Sequence, residues 1–347
     1  MAKNPRKIEC LILSDGRAGH VKQSQAITKL MALEQTREIK ILYPSKIHEY
    51  FFSCLMLIPW PHRFLKLLLK LALKPSSFKE ALEGSENLII SAGASLNAPN
   101  IALRKLKSSK NIVLMKPTWG RASQYDLQII PNHDVISQNR ANTIRTLLTP
   151  SHFDPKQAEQ AALELKRNYP LTDAPIVSIL IGGSTSKTSL TVSWMALFLK
   201  HLKTYLKQNS VQLLCTTSRR TPLPICTELE KNISSLPACK LLITDPSSNP
   251  IPNLIHAMLY LSSQVWITQD SISMISEALY ARKKPVVLQT QPHRSRKHET
   301  FLRSLEHHRL IELRSPHELM APISTTTDFS LLNEEQKTLR TAIEAIL

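Results

Sequence analysis

Glycine is scarce in this chain, seven in 347 residues, so the placement of each carries weight. Aromatic residues are also few, at 5%. With no RNA-binding aromatic signature, no helix-turn-helix pattern and no cysteine pairs at zinc-ligand spacing, nucleic acid is not expected as a partner. The five cysteines, Cys10, Cys54, Cys215, Cys226 and Cys239, are odd in number and scattered through apolar segments. They make no disulfide framework and read as reduced core thiols, which fits a cytoplasmic chain. Long apolar runs are missing too, so no segment can cross a bilayer as a helix. The basic N-terminus is followed by a short strand-like run with no small-residue cleavage site, and no signal peptide is expected. Acidic residues are in deficit, 27 against 44 Lys and Arg, which leaves a net charge of +17. Such a surface favours anionic partners such as nucleotides or an anionic membrane face.

What is present is a repeated alternation of short apolar runs with amphipathic helical stretches, the pattern of parallel sheets whose ligands collect beyond the carboxyl edge. At this length two domains are expected rather than one. Thr149-Pro150-Ser151 with Asp154-Pro155 marks a boundary. The predicted organisation is 1–152, 153–330 and a C-terminal helical segment at 331–347.

The stretch 268–278, Thr-Gln-Asp-Ser-Ile-Ser-Met-Ile-Ser-Glu-Ala, follows an apolar strand and opens a helix. The unpaired N–H groups of that helix start, with the Ser271 and Ser273 hydroxyls, suit a phosphate. Glu277 lies one and a half turns further on, within reach of a sugar hydroxyl on the same ligand. The alternative is that Asp270 or Ser271 caps the helix and Glu277 is solvated. Upstream, the strand at 176–181 empties into Gly182-Gly183-Ser184, which resembles a phosphate loop in composition but lacks the Walker spacing. The strand at 211–215 leads to Ser218-Arg219-Arg220 before a proline-started helix, a diphosphate clamp in residue type.

In the first half, the strand at 8–13 ends in Ser14-Asp15-Gly16-Arg17-Ala18-Gly19-His20 and then a helix. This is a Rossmann-like opening without the third glycine of the dinucleotide fingerprint. Asp15, His20 or His133 can act as the proton acceptor, and His20 is preferred because its loop opens at the sheet edge. His133-Asp134, as adjacent residues, read better as a capped turn. Segment 48–74 is apolar with Arg and Lys spaced through it and a break at Pro59-Trp60-Pro61. It fits either a helix lying in a membrane interface or two packed helices with wet lysines.

Together, the motifs 14–20 with Gln23-Ser24, Ile90-Ser91-Ala92-Gly93, Pro131-Asn132-His133-Asp134, 216–222 and 268–278 resemble the mitochondrial-fission ELM (elongated mitochondria) family. More distantly, the glycine-histidine loop and the Ser-rich turn with Glu277 are similar to GT-B glycosyltransferases, such as the one that adds N-acetylglucosamine to lipid-linked peptidoglycan precursors. The resemblance implies two Rossmann-like α/β domains facing across a cleft. It also implies that Ser271 and Ser273 contact diphosphate, that Glu277 contacts ribose, and that Gly182, Gly183, Arg219 and Arg220 line the donor site. His20 and Asp15 would face the acceptor. Two positions depart from such folds: Arg282-Lys283-Lys284 stands where a glycine is common before Pro285, and Gln269 stands where a small residue is usual.

The function expected is therefore a glycosyltransferase using a nucleotide-diphosphate sugar as donor substrate, with no cofactor or metal, and a lipid-linked acceptor reached through 48–74. The alternative is a membrane-associated adaptor of the ELM family, acting in membrane or organelle division without turnover. The location expected is cytoplasmic, with peripheral contact on the inner face of the membrane.

Overall fold

The computed structural model describes residues 8–134, 136, 140–184, 190–249, 251–290, 295–324 and 327–347. Of the sequence readings, the tail of the glycine turn at 185–187, Pro250 of the Asn249-Pro250 turn and the first part of a basic loop at 291–298 lie outside the described residues. The chain forms two compact units, Met1–His152 with Leu332–Leu347, and Phe153–Leu331.

In the first unit, short runs of Leu, Ile and Val leave both faces of each central strand apolar, as a parallel sheet covered on both sides requires. Strands β1 (Glu9–Ser14), β2 (Gln35–Lys40), β3 (Leu88–Ala92), β4 (Lys110–Leu114), β5 (Leu127–Pro131) and β6 (Thr143–Thr146) form a six-stranded sheet. Its order is β2-β1-β3-β4-β5-β6, with every described pairing parallel. Alternation along β1 divides the core. Leu11 and Leu13 join Phe52, Leu65 and Leu69 on one face, while Cys10 and Ile12 join Ile27 on the other. The covering helices are α1 (Ala18–Leu30), α2 (Lys46–Leu55), α3 (His62–Ala72), α4 (Pro75–Leu82) and α5 (Asn97–Leu106). Strand β2 begins ahead of the apolar pair Ile39 and Ile41. It is an edge strand with mostly exposed side chains, so the apolar signal of Ile39 and Ile41 pulls the reading towards the strand's exit.

The second unit carries β7 (Ile176–Leu180), β8 (Gln212–Thr216), β9 (Cys239–Ile243), β10 (Gln264–Thr268), β11 (Val286–Leu288) and β12 (Glu312–Arg314). Their order is β12-β11-β10-β7-β8-β9, again parallel. Helices α6 (Pro155–Asn168), α7 (Val192–Gln208), α8 (Leu223–Ile233), α9 (Leu254–Leu261), α10 (Ile272–Tyr280) and α11 (Arg296–His307) connect them. The basic loop read at 291–298 is thus already helical from Arg296. Trp194, Phe198 and Trp266 centre the core of this unit. At the end of α10, Arg282 stands at φ +58°, in the left-handed region where glycine is usual. The Lys283 N–H reaches back to the Ala278 carbonyl at 2.9 Å, closing the helix despite the side chain.

The last helix, α12 (Ser330–Ile346), returns to the first unit, where Leu339 and Ile343 complete the core beside Ile12 and Ile27. Its Glu335 carboxylate accepts the Leu147 N–H, and burial pushes that carboxyl up to about 7 against the pull of the Leu147 and Leu148 N–H groups. A second buried acid, Glu86, accepts from Lys107 Nζ at 2.8 Å and from Arg37 Nε at 2.6 Å. Burial alone would raise its carboxyl, but the hydrogen bonds from Lys107, its own backbone N–H and Arg37 outweigh it and hold the group below its ordinary range. All five cysteines are free. No helix among the described residues is long and apolar enough to cross a membrane.

Candidate functional site

In an open parallel sheet, ligands bind at the carboxyl edge where the strand order reverses. The first sheet reverses between β1 and β3, the second between β7 and β10. Both sets of candidate residues lie at these two points.

At the first, the β1 strand delivers Asp15 and the start of α1 delivers His20. Gly16, at φ +81°, makes the turn between them. Asp15 Oδ1 accepts the Arg17 N–H at 3.0 Å, and Asp15 Oδ2 lies 2.9 Å from His20 Nδ1. The carboxylate therefore fixes the imidazole and leaves Nε2 as its outward nitrogen. Across the switch point, Gly93 follows β3 at φ +110° and ψ 148°. A Cβ there would stand 2.6 Å from His20 Nδ1 and 3.2 Å from Asp15 Oδ2. The motif at 90–93 thus acts through its lack of a side chain. Of the other candidates in this unit, His133 and Asp134 are both buried in a turn after β5. Asp134 Oδ2 accepts the Lys116 N–H at 3.2 Å, which ties this turn to the loop after β4.

At the second switch point three loops interlock. The Gly182 N–H donates to Thr268 Oγ1 at 2.7 Å, and the Gly183 N–H donates to Asp270 Oδ2 at 2.8 Å. From the loop after β8, Thr221 Oγ1 donates to the Gly182 carbonyl at 2.5 Å. Neither glycine is at positive φ, so the need is for room. A Cβ on Gly182 would fall 2.1 Å from Asp270 Oδ2, and one on Gly183 would fall 2.3 Å from the Arg220 backbone. Ser184 follows as a half-buried residue whose Oγ accepts the Leu190 N–H at 3.2 Å.

Ser218 closes its own turn, with Oγ accepting the Arg220 N–H at 3.2 Å, and this sets Arg219 and Arg220 outward on the exposed surface. Among the described residues neither arginine is held in an ion pair. Ser271 is buried and caps α10, its Oγ accepting the Met274 N–H at 3.4 Å, whereas Ser273 is exposed on the first turn. Glu277 is only 7% exposed, which overturns the alternative of a solvated charge. Gln269 is tied down as well, donating from Nε2 to Thr290 Oγ1 at 2.9 Å.

Asp270 is the residue that sequence reasoning undervalued. It reads as a cap candidate, but its carboxylate backs the Gly182-Gly183 turn and is 5% exposed. Its Oδ1 has no hydrogen-bond partner among the described residues. Burial raises its carboxyl, against the Thr268 hydroxyl, the Gly183 N–H and the Arg220 charge. The only signal available beforehand was an acid after one strand and a glycine pair after another, which means nothing until β7 and β10 are known to be neighbours.

Two sequential six-stranded parallel sheets with helices between their strands define a chain of the GT-B type. Similar in fold across 98% of this chain and 90% of its own is a Listeria monocytogenes protein assigned as a UDP-N-acetylglucosamine 2-epimerase, at 10% identity and a TM-score of 0.51. MurG from Acinetobacter baumannii aligns over 97% of this chain and 98% of its own at 10% identity and a TM-score of 0.47. The chain belongs to the mitochondrial fission ELM1 family, whose model matches residues 18–338. A curated relative, Uncharacterized protein RP120 of Rickettsia prowazekii (strain Madrid E), is 28% identical over 150 residues, 42% of this chain. That match spans 40% of the relative's length.

Proposed function

We propose that the protein transfers a glycosyl group from a nucleotide-diphosphate sugar, bound at the β7/β10 switch point, to an acceptor served by Asp15 and His20. The observation that carries this reading is the interlocked turn of Gly182-Gly183, Arg220 and Asp270 beside the N-terminus of α10. The helix N–H groups, the Ser273 hydroxyl and the exposed Arg219 and Arg220 supply positive potential for a diphosphate. Glu277, in the second turn of α10, takes a ribose hydroxyl. As the sugar C1–O(phosphate) bond breaks, the nucleoside diphosphate leaves with the electron pair, and its charge is met by these donors without a metal ion. The acceptor hydroxyl forms the new C1–O bond and gives up its proton to a general base, and the residue we assign to that role is His20, whose Nδ1 is held by Asp15 in the first unit. The acceptor is a lipid-linked molecule, a reading supported by the apolar, basic segment at 48–74. A non-catalytic adaptor gives no reason for a buried carboxylate behind two glycines that accept no side chain.

A thermal-shift panel of UDP, GDP, CDP and ADP tests the donor site. One diphosphate should raise the transition, since saturation at about a hundred times Kd adds roughly 2.7 kcal/mol. Arg220→Ala and Glu277→Gln should each weaken that shift. A wild-type protein unmoved by all four nucleotides would overturn the proposal.

A further inference from the structure

The surface of the first unit carries a feature that the donor site does not explain. Of the fifteen large hydrophobic side chains exposed among the described residues, eight fall between residues 47 and 71. They are Ile47, Tyr50 and Phe51 on α2, Leu57 and Ile58 after it, and Phe64, Leu67 and Leu71 on α3. Phe51 is 62% exposed, Leu67 52% and Leu71 63%.

Helical periodicity separates three stripes on α3. Leu65, Leu69 and Ala72 face the core of the unit. Phe64, Leu67 and Leu71 recur at i, i+3 and i+7 and form a second apolar stripe beside it, which the protein leaves uncovered. Arg63, Lys66 and Lys70 form the third, on the flank of that stripe, and Lys74 follows the helix. Between α2 and α3 lies an apolar groove of about 220 Å³ lined by Ile47, Phe51, Phe52, Leu55, Leu68 and Leu71.

Charge decides what fits this face. Segment 46–74 holds five Lys and Arg and one acid, Glu49. That acid is taken by Lys46 at 2.7 Å. Arg63 stacks over Phe64 at 5.1 Å, and among the described residues no carboxylate pairs with Arg63, Lys66, Lys70 or Lys74. A second copy of this chain would bring the same cations to the interface, and like charge opposes that pairing. An anionic phospholipid surface supplies both an apolar layer for the exposed stripe and phosphates for the lysines. Aromatic rings at the rim suit the same place. Tyr50 packs edge-on against Trp119 at 5.5 Å, and Trp60 lies 6.5 Å from Phe64.

We propose that α2, α3 and the Pro59-Trp60-Pro61 break form a docking face for an anionic phospholipid bilayer, with Phe51, Phe64, Leu67 and Leu71 entering the interface. This face stands whether or not the second unit binds a nucleotide sugar.

The test is flotation of the full-length protein with vesicles of phosphatidylcholine alone and of phosphatidylcholine mixed with phosphatidylglycerol. The wild type should float with the mixed vesicles and lose most of that binding in high salt. Lys66→Gln with Lys70→Gln should lower partitioning about 25-fold, at about fivefold for each charge near an anionic surface. Leu67→Glu with Leu71→Glu should lower it at least about tenfold, because apolar burial on insertion is lost. All four side chains are exposed, so unchanged circular dichroism and melting are expected in both variants. Wild-type protein that ignores anionic vesicles, variants that bind as the wild type does, or a dimer by light scattering that Leu67→Glu with Leu71→Glu converts to monomer would each overturn the proposal. The last result would assign the face to a second copy.

Discussion

Gly93 and Gly19 sit in motifs that look alike in sequence, yet substitution by alanine should move stability in opposite directions. Gly93 occupies φ +110° and ψ 148°, a region almost confined to glycine, where a side chain costs of order 1–3 kcal/mol. The added Cβ would also meet His20 Nδ1 at 2.6 Å and Cε1 at 2.8 Å, so the ring must swing away from Asp15. Losing that hydrogen bond costs about 1 kcal/mol more. Gly93→Ala should therefore destabilise the first unit by about 2–4 kcal/mol, which lowers its transition by roughly 4–16 °C at about 2–4 °C per kcal/mol. Gly19 lies within α1, and a methyl group added there would meet nothing within 4 Å, so Gly19→Ala should stabilise the helix by about 0.5–1 kcal/mol. Urea unfolding read by amide hydrogen exchange at residues 9–14 isolates the first unit from the second. A Gly93→Ala protein that keeps wild-type protection there, with an unchanged His20 signal by NMR, would refute the claim that this glycine exists to admit the Asp15–His20 pair.

Two further outcomes concern buried acids. Glu335 holds its proton up to about pH 7, against an ordinary value of 4.5. The stability it contributes is fully present below about pH 4.5 and is lost as pH rises through 7, roughly 3–4 kcal/mol in all. Melting temperatures at pH 5 and pH 8 should differ less in Glu335→Gln than in the wild type, and equal differences would refute the assignment. Glu86 is depressed, so its contribution is present above the unfolded carboxylate pKa and fades as pH falls through the folded one. Glu86→Ala leaves Lys107, whose side chain is 6% exposed, without its carboxylate and should cost about 3–5 kcal/mol by equilibrium denaturation. A cost below about 1 kcal/mol would show that the pair is dispensable.

The two-layer alternation was legible because buried parallel strands are continuous apolar runs, and β1, β3, β7 and β10 each show one. The short outer strand β12 was not, since three residues, two of them Glu312 and Arg314, carry no such run. The candidate site divides in the same way. Ser271, Ser273 and Glu277 are local to one helix, so spacing alone relates them. Gly93 with His20, and Gly182 with Asp270, meet only because β1 neighbours β3 and β7 neighbours β10, and strand order is a tertiary fact with no local signature. Glu277 illustrates the limit from the other side: its position on the helix could be counted, but its burial depends on what packs over it.

The return of α12 to the first sheet sets an order of events during synthesis. Residues 9–146 can pair their strands early, yet the face holding Cys10, Ile12 and Ile27 lacks Leu339 and Ile343 until the end of the chain has emerged. At about 5–20 residues per second, the ribosome needs roughly 10–40 s to travel from residue 152 to residue 347. The second unit, whose strands and helices lie wholly within that interval, can finish first. The N-terminal half of this protein is thus begun first and completed last, and its open apolar face is what a chaperone would meet in the meantime.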